Sequence, residues 1–276
     1  MLTFLKYEFK QNWKDFLLSY ILVIIAFAFL SIFTLCIRNV YNPSPFIIIV
    51  FNNLLFLVIA TMIASAVLFI INVVKGCYTK IFTDEGYLTL SFPKSTHALI
   101  LSKIIANVIW AVFFIISIFI GSVFVFLSVG NSVNEIFDDI RTIIEDVLSE
   151  AYLIPFEMIN GLLGLIFNLI ILLLSFSLIN VGKIKKAKVF IGILFYIGIS
   201  SILTSILSLT NLFGFGFAVN IDGELVFNYG SVFSSSFSNC PNGYLFNFTT
   251  IIFLLLFIVG GYFLTHYLIS KKLELE

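Results

Sequence analysis

The sequence is short of charge. Only 11% of its 276 residues are Asp, Glu, Lys or Arg, against about 25% in an ordinary soluble domain. That deficit excludes a disordered chain and a soluble enzyme. Basic and acidic residues balance, 15 against 15, so no bulk positive field exists to hold nucleic acid. Cysteine is scarce as well: Cys36, Cys77 and Cys240 are too few and too scattered for a disulfide framework or a zinc site. The two histidines, His97 and His266, have no spaced carboxylates with which to bind a metal. The chain also lacks an H-E-x-x-H, a G-x-S-x-G and a paired Asp inside an apolar run. No catalytic, cofactor-binding or metal-ligating residue is therefore expected, and the chain is read as non-enzymatic. Nor is there a G-x-x-x-x-G-K-[ST] loop to cradle ATP phosphates, because Gly182-Lys183 has neither the upstream glycine nor the following Ser or Thr.

What the sequence has is apolar length. Residues AVILMFWYC make up 61% of it, 34 of them phenylalanine. A bilayer core about 30 Å thick needs roughly 20 consecutive apolar helical residues. Six stretches free of Asp, Glu, Lys and Arg meet that length, at about 16–37, 46–74, 104–129, 158–181, 189–209 and 248–269. The expected fold is an all-α polytopic membrane protein with six transmembrane helices. The first stretch is too long for a signal-peptide core and has no small-x-small cleavage site after it, so it is read as an anchor.

Charge placement sets the orientation. With six spans, both termini share a side with the second–third and fourth–fifth loops. That side carries all thirteen lysines, whereas the other carries only Arg38 and Arg141. The positive-inside rule then puts both termini in the cytoplasm. Residues 1–15 read as an interfacial amphipathic helix on the inner leaflet. Leu2, Leu5, Phe9, Trp13 and Phe16 fall within about 80° on a helical wheel, beside a row of Lys6, Lys10 and Lys14.

Two outer segments are distinctive. Residues 132–150 read as an acidic external helix, with Ser132 and Glu135 at capping-box spacing. Its carboxylates read as a solvated face, with a divalent-cation site as the alternative. Residues 210–247 are rich in Gly, Ser, Asn and Phe, and the alternation Phe213, Gly214, Phe215, Gly216, Phe217 reads as membrane-dipping or packed irregular structure. Cys36 and Cys240 both fall near this side, and the sequence leaves their pairing open. Inside the spans, the small-residue spacings Ala60/Ala64 and Thr61/Ser65 permit close helix contact. The absence of ionisable groups from the spans, apart from His266 near an end, speaks against a gradient-driven transporter.

The second–third loop is the most informative stretch. Asp84-Glu85 ends a cytoplasmic extension of the second helix, and Gly86 permits the turn. Pro93 keeps Phe92 extended, and Ser95 or Thr96 caps the next helix. The result is a short aromatic knob suited to a groove on a soluble partner. Asp84-Glu85-Gly86-Tyr87-Leu88-Thr89, Pro93, Ser95 and Ser102-Lys103 make the chain resemble the permease subunits of bacterial ABC-2-type ABC transporters. That resemblance implies two six-span protomers, identical or not, seated on separate ATP-binding subunits that hold ATP and Mg²⁺. It also implies docking and coupling through Phe82, Asp84, Glu85, Gly86, Tyr87, Leu88, Pro93, Lys94 and Ser95. The expected function is ATP-driven export of an amphipathic drug, peptide antibiotic or lipid-like substrate across a bacterial plasma membrane. The alternatives are a secondary transporter or channel, and a membrane scaffold or sensor.

Overall fold

The computed structural model describes residues 2–38, 44–82, 96–129, 141, 154–182, 187–219, 225–231 and 244–272. Among the described residues six helices run in the order α1 (Leu2–Arg38), α2 (Pro45–Phe82), α3 (Thr96–Val129), α4 (Ile154–Val181), α5 (Lys188–Asn211) and α6 (Phe248–Tyr267). A π-helical turn, Leu268–Lys272, extends the last. All six are long and apolar enough to cross a membrane. The chain is a polytopic membrane protein, and its composition follows from that: lipid accepts the apolar surface that water would expel.

The helices outrun the apolar stretches. α1 has 37 residues, about 55 Å at 1.5 Å per residue, where a bilayer core needs about 30 Å. Residues 2–15 are thus its first third, with no break at Asp15–Phe16. α2 likewise continues to Phe82, and α3 begins at Thr96. Many polar side chains within the spans are satisfied locally. Ser19, Ser65, Ser117 and Ser177 donate to carbonyls three residues back, and Asn53, Asn168 and Asn180 to carbonyls four back. Such back-bonding removes the cost of a bare donor in hydrocarbon.

The chain divides into two compact units, Met1–Gly76 with Leu101–Ser149, and Cys77–Ile100 with Glu150–Glu276. In the first, α1, α2 and α3 pack through aromatic rings. Phe16 stacks on Trp110 at 5.1 Å, Phe69 on Phe114 at 4.6 Å, and Tyr20 donates to the Trp110 carbonyl at 2.9 Å. In the second, α4 is the most enclosed helix, every residue from Leu169 to Ser177 being buried. Phe167, Ile171 and Leu254 centre its core, joined by Tyr196 and Leu203 of α5 and Phe257 of α6.

One outer segment departs from its expected form. The Phe-Gly alternation is neither irregular nor helical but a strand, β1 (Phe213–Val219), in an antiparallel sheet with β2 (Leu225–Ser231) and β3 (Tyr244–Asn247) in the order β2-β1-β3. Period-two alternation is the ordinary mark of a strand. Here it puts rings on one face and hydrogen atoms on the other. Gly214 has φ +128°, which L side chains rarely adopt. At Gly216 a Cβ would collide with the Phe246 carbonyl of β3. Asn247 fastens the sheet to the helices. Its Oδ1 accepts from the backbone N–H of Thr249 at 2.9 Å and caps α6, while its Nδ2 donates to the carbonyls of Thr210 and Phe213. The acidic segment 132–150, Arg141 excepted, and Cys240 lie outside the described residues.

Candidate functional site

Of the residues assigned to docking, the described part of the chain includes Phe82 alone. Asp84, Glu85, Gly86, Tyr87, Leu88, Pro93, Lys94 and Ser95 lie outside the described residues. Phe82 ends α2 and is only 6% exposed. Its ring faces Tyr78 at 6.1 Å, and Tyr78 in turn packs against Phe176 of α4 at 5.1 Å. The Phe82 ring is therefore enclosed by the protein itself and offers little area to a partner. Ile81, Leu99 and Ile100 are buried as well, so both helix ends that carry the loop are firmly held.

The start of α3 is held by polar contacts too. Thr96 Oγ1 lies 2.6 Å from His266 Nε2 of α6, and His97 Nδ1 lies 2.9 Å from the Tyr262 hydroxyl. The two imidazoles stack with centroids 3.6 Å apart and planes 9° from parallel. Parallel rings direct their in-plane lone pairs side by side rather than toward one point, which is the wrong geometry for a shared ion. Among the described residues no group of three or more His, Cys, Asp and Glu could hold a metal.

In the first unit, about two turns further into α3, lies a constellation the sequence did not disclose. Lys103 Nζ reaches Glu8 Oε1 of α1 at 3.0 Å, with side-chain exposures of 1% and 7%. The same ammonium donates to the Gly76 carbonyl of α2 at 3.0 Å. Asn12 Nδ2 donates to the second Glu8 oxygen at 3.1 Å, and Asn107 Nδ2 to the Lys103 carbonyl at 3.0 Å. One cation thus ties three helices. Its desolvation is offset by a carboxylate and a carbonyl, and the carboxylate is itself hydrogen-bonded, as a buried ion pair requires. By count along the sequence, Lys103 was one of thirteen lysines on the water side, and Glu8 lay off the apolar stripe of residues 1–15. The row that packs inward from α1 is instead Glu8, Asn12, Phe16 and Ser19, spaced at i, i+4, i+8 and i+11. That polar-then-apolar row was the available signal.

Comparison with family models, with curated proteins and with solved structures finds no match to this chain. Its site must be judged on its own geometry. In the first unit that geometry is the Lys103 ammonium held by Glu8 and the Gly76 carbonyl. In the second it is the pair of helix ends that flank residues 83–95, held by buried Ile81, Phe82, Leu99 and Ile100.

Proposed function

We propose that the chain is the membrane-spanning permease subunit of an ATP-driven exporter of the ABC-2 type. It would pair with a second permease protomer and with separate ATP-binding subunits that carry ATP and Mg²⁺. What supports this reading is the likeness of the 83–95 loop to that of ABC-2 permeases, joined to six helices long and apolar enough to cross a membrane. The helix ends that flank the loop are held by buried Ile81, Phe82, Leu99 and Ile100, and Lys103 bonds α3 to α1 and α2 within the first unit. Ala60 and Ala64 lie on an exposed face of α2 beside the exposed Phe56, Ile63 and Val67, and the paired small residues permit close approach of a second protomer.

The cargo class follows from the spans. Their polar groups are hydroxyls and amides, many of them bonded back to their own helices, which suits an amphipathic or apolar substrate. The lysine distribution supports cytoplasmic termini, and the resemblance of the loop supports a bacterial plasma membrane. Thiol labelling from outside intact cells should reach a single cysteine at Asp222 and miss one at Lys185. Labelling at Lys185 would reverse the orientation.

The direct test is capture. Tagged protein, solubilised from its native membrane, should retain a protein bearing G-x-x-x-x-G-K-[ST], and the 83–95 loop should cross-link to it. Retention of no nucleotide-binding protein under mild detergent would remove the reading. One observation favours a secondary transporter instead, the buried ionisable pair Glu8–Lys103, since such pairs often mark coupling sites. Here the pair is fully engaged with Gly76 and Asn12 and lies at the end of the apolar stretches, which is the pattern of a structural tie. Flux through the lone chain driven by a proton or sodium gradient would decide for that alternative.

A further inference from the structure

We infer that the ring-bearing face of the β2-β1-β3 sheet is a lipid-contact surface that lies in the headgroup–acyl boundary of the leaflet opposite the termini. With six spans, the segment between α5 and α6 emerges on that side. The sheet cannot stand far from the bilayer. β1 begins two residues after α5 ends, and β3 runs directly into α6. Asn247 bonds the end of α5, the start of β1 and the first turn of α6 together. The register then puts Phe213, Phe215 and Phe217 of β1 on the same face as Phe227 and Tyr229 of β2, because Phe215 pairs with Tyr229 and Phe217 with Phe227.

This face has two halves. Near β3 the rings are used inside the protein: Phe217 and Phe246 pack on Phe156 of α4, and Phe248 closes over them. Toward β2 they are bare. Phe213 and Phe227 are each 54% exposed, and Tyr229 is 74% exposed. An aromatic patch of this kind in water marks a contact surface. Its continuity identifies the occupant. Exposed Ile202, Ile206 and Leu209 of α5, beside Ser205 and Ser208 whose hydroxyls are bonded back to their own helix, lead within four residues to exposed Phe213. The strip on α5 faces lipid in a membrane-spanning helix, and the rings continue the same surface upward. Aromatic side chains are favoured at that depth. The segment 210–247 carries no Lys or Arg, its only charges being Asp222 and Glu224. The contact is thus apolar and independent of anionic lipid.

The test is depth measurement on the full chain in phosphatidylcholine vesicles, with and without added phosphatidylglycerol. Nitroxides placed singly at Phe213, Phe227 and Tyr229 are compared with labels at Leu255, within α6, and at Lys271, at its far end. Cys36 and Cys240 are replaced by Ser, and Cys77, which is buried, is left in place. At the three sheet positions the collision ratio of oxygen to a water-soluble nickel chelate should lie nearer that of Leu255 than that of Lys271, and phosphatidylglycerol should not move it. As a milder variant, Tyr229→Trp should add fluorescence that bromolipid quenches. A ratio matching Lys271 would mean that the face is in water. Low collision rates with both reagents would mean that another part of the chain or a second copy covers it. Either result, or failure of bromolipid to quench the Tyr229→Trp signal, overturns the proposal.

Discussion

Lys103→Met should cost the protein about 3–5 kcal/mol of stability, the usual penalty for leaving one member of a buried ion pair uncompensated. Glu8 would then hold its charge among Asn12, Phe16 and the α2–α3 packing with one hydrogen-bond donor fewer. In thermal unfolding in detergent, that loss should read as a fall on the order of 10 °C. Glu8→Gln is milder, because the amide still accepts from Lys103. The double variant Glu8→Gln/Lys103→Met removes both charges and should recover most of the lost stability, since an uncharged pair of similar shape is often neutral. The non-additivity of this cycle separates a true pair from two independent core residues. Equal and additive losses would show that the 3.0 Å contact contributes little.

Substitution in the 83–95 loop should act on coupling and leave the fold intact. Tyr87→Ala removes a large aromatic side chain, the residue type enriched at interface hot spots, where truncation costs about 2 kcal/mol or more. Affinity for the nucleotide-binding partner should fall roughly 30-fold, with membrane insertion and melting temperature unchanged. Glu85→Lys should weaken the same contact, more at low salt than at high, because exposed charges are screened. Phe82→Ala should behave oppositely. That ring is buried beside Tyr78, so its loss creates a cavity costing about 3–5 kcal/mol and lowers the melting temperature before it touches affinity. Changes at Asp138 and Asp139 should leave partner binding alone. If Tyr87→Ala and Glu85→Lys both bind and export like the parent, the loop is a connector.

Much of the fold was legible because lipid imposes a simple rule. Twenty uncharged apolar residues can be little else than a span, and all six stretches lie within helices of the structure. Helix ends were less legible. Outside the bilayer core hydropathy is silent, and other signals spoke instead. The apolar stripe of residues 1–15 and the Asp84-Glu85-Gly86 stop announce helix where α1 starts at Leu2 and α2 runs on to Phe82. The unbroken join of residues 2–15 to the first span left no mark. The sheet was missed for a different reason. Its Phe-Gly alternation has the period of a strand, but glycine is poor in strands generally, and here each glycine answers to a close approach, such as that of the Phe246 carbonyl to Gly216. The Glu8–Lys103 tie joins residues 95 apart. Each alone resembles an ordinary charge flanking a span, and only the tertiary packing of α1 on α3 brings them together.

On the proposed reading, dependence on a separate ATPase is the property that matters most. Hydrolysis of ATP in vesicles carrying the chain, its captured nucleotide-binding partner, or both measures it most directly. The chain alone should hydrolyse nothing, the pair should exceed the partner alone, and Tyr87→Ala should remove the excess. ATP hydrolysis by the chain alone, or a partner activity indifferent to the chain, would contradict the account.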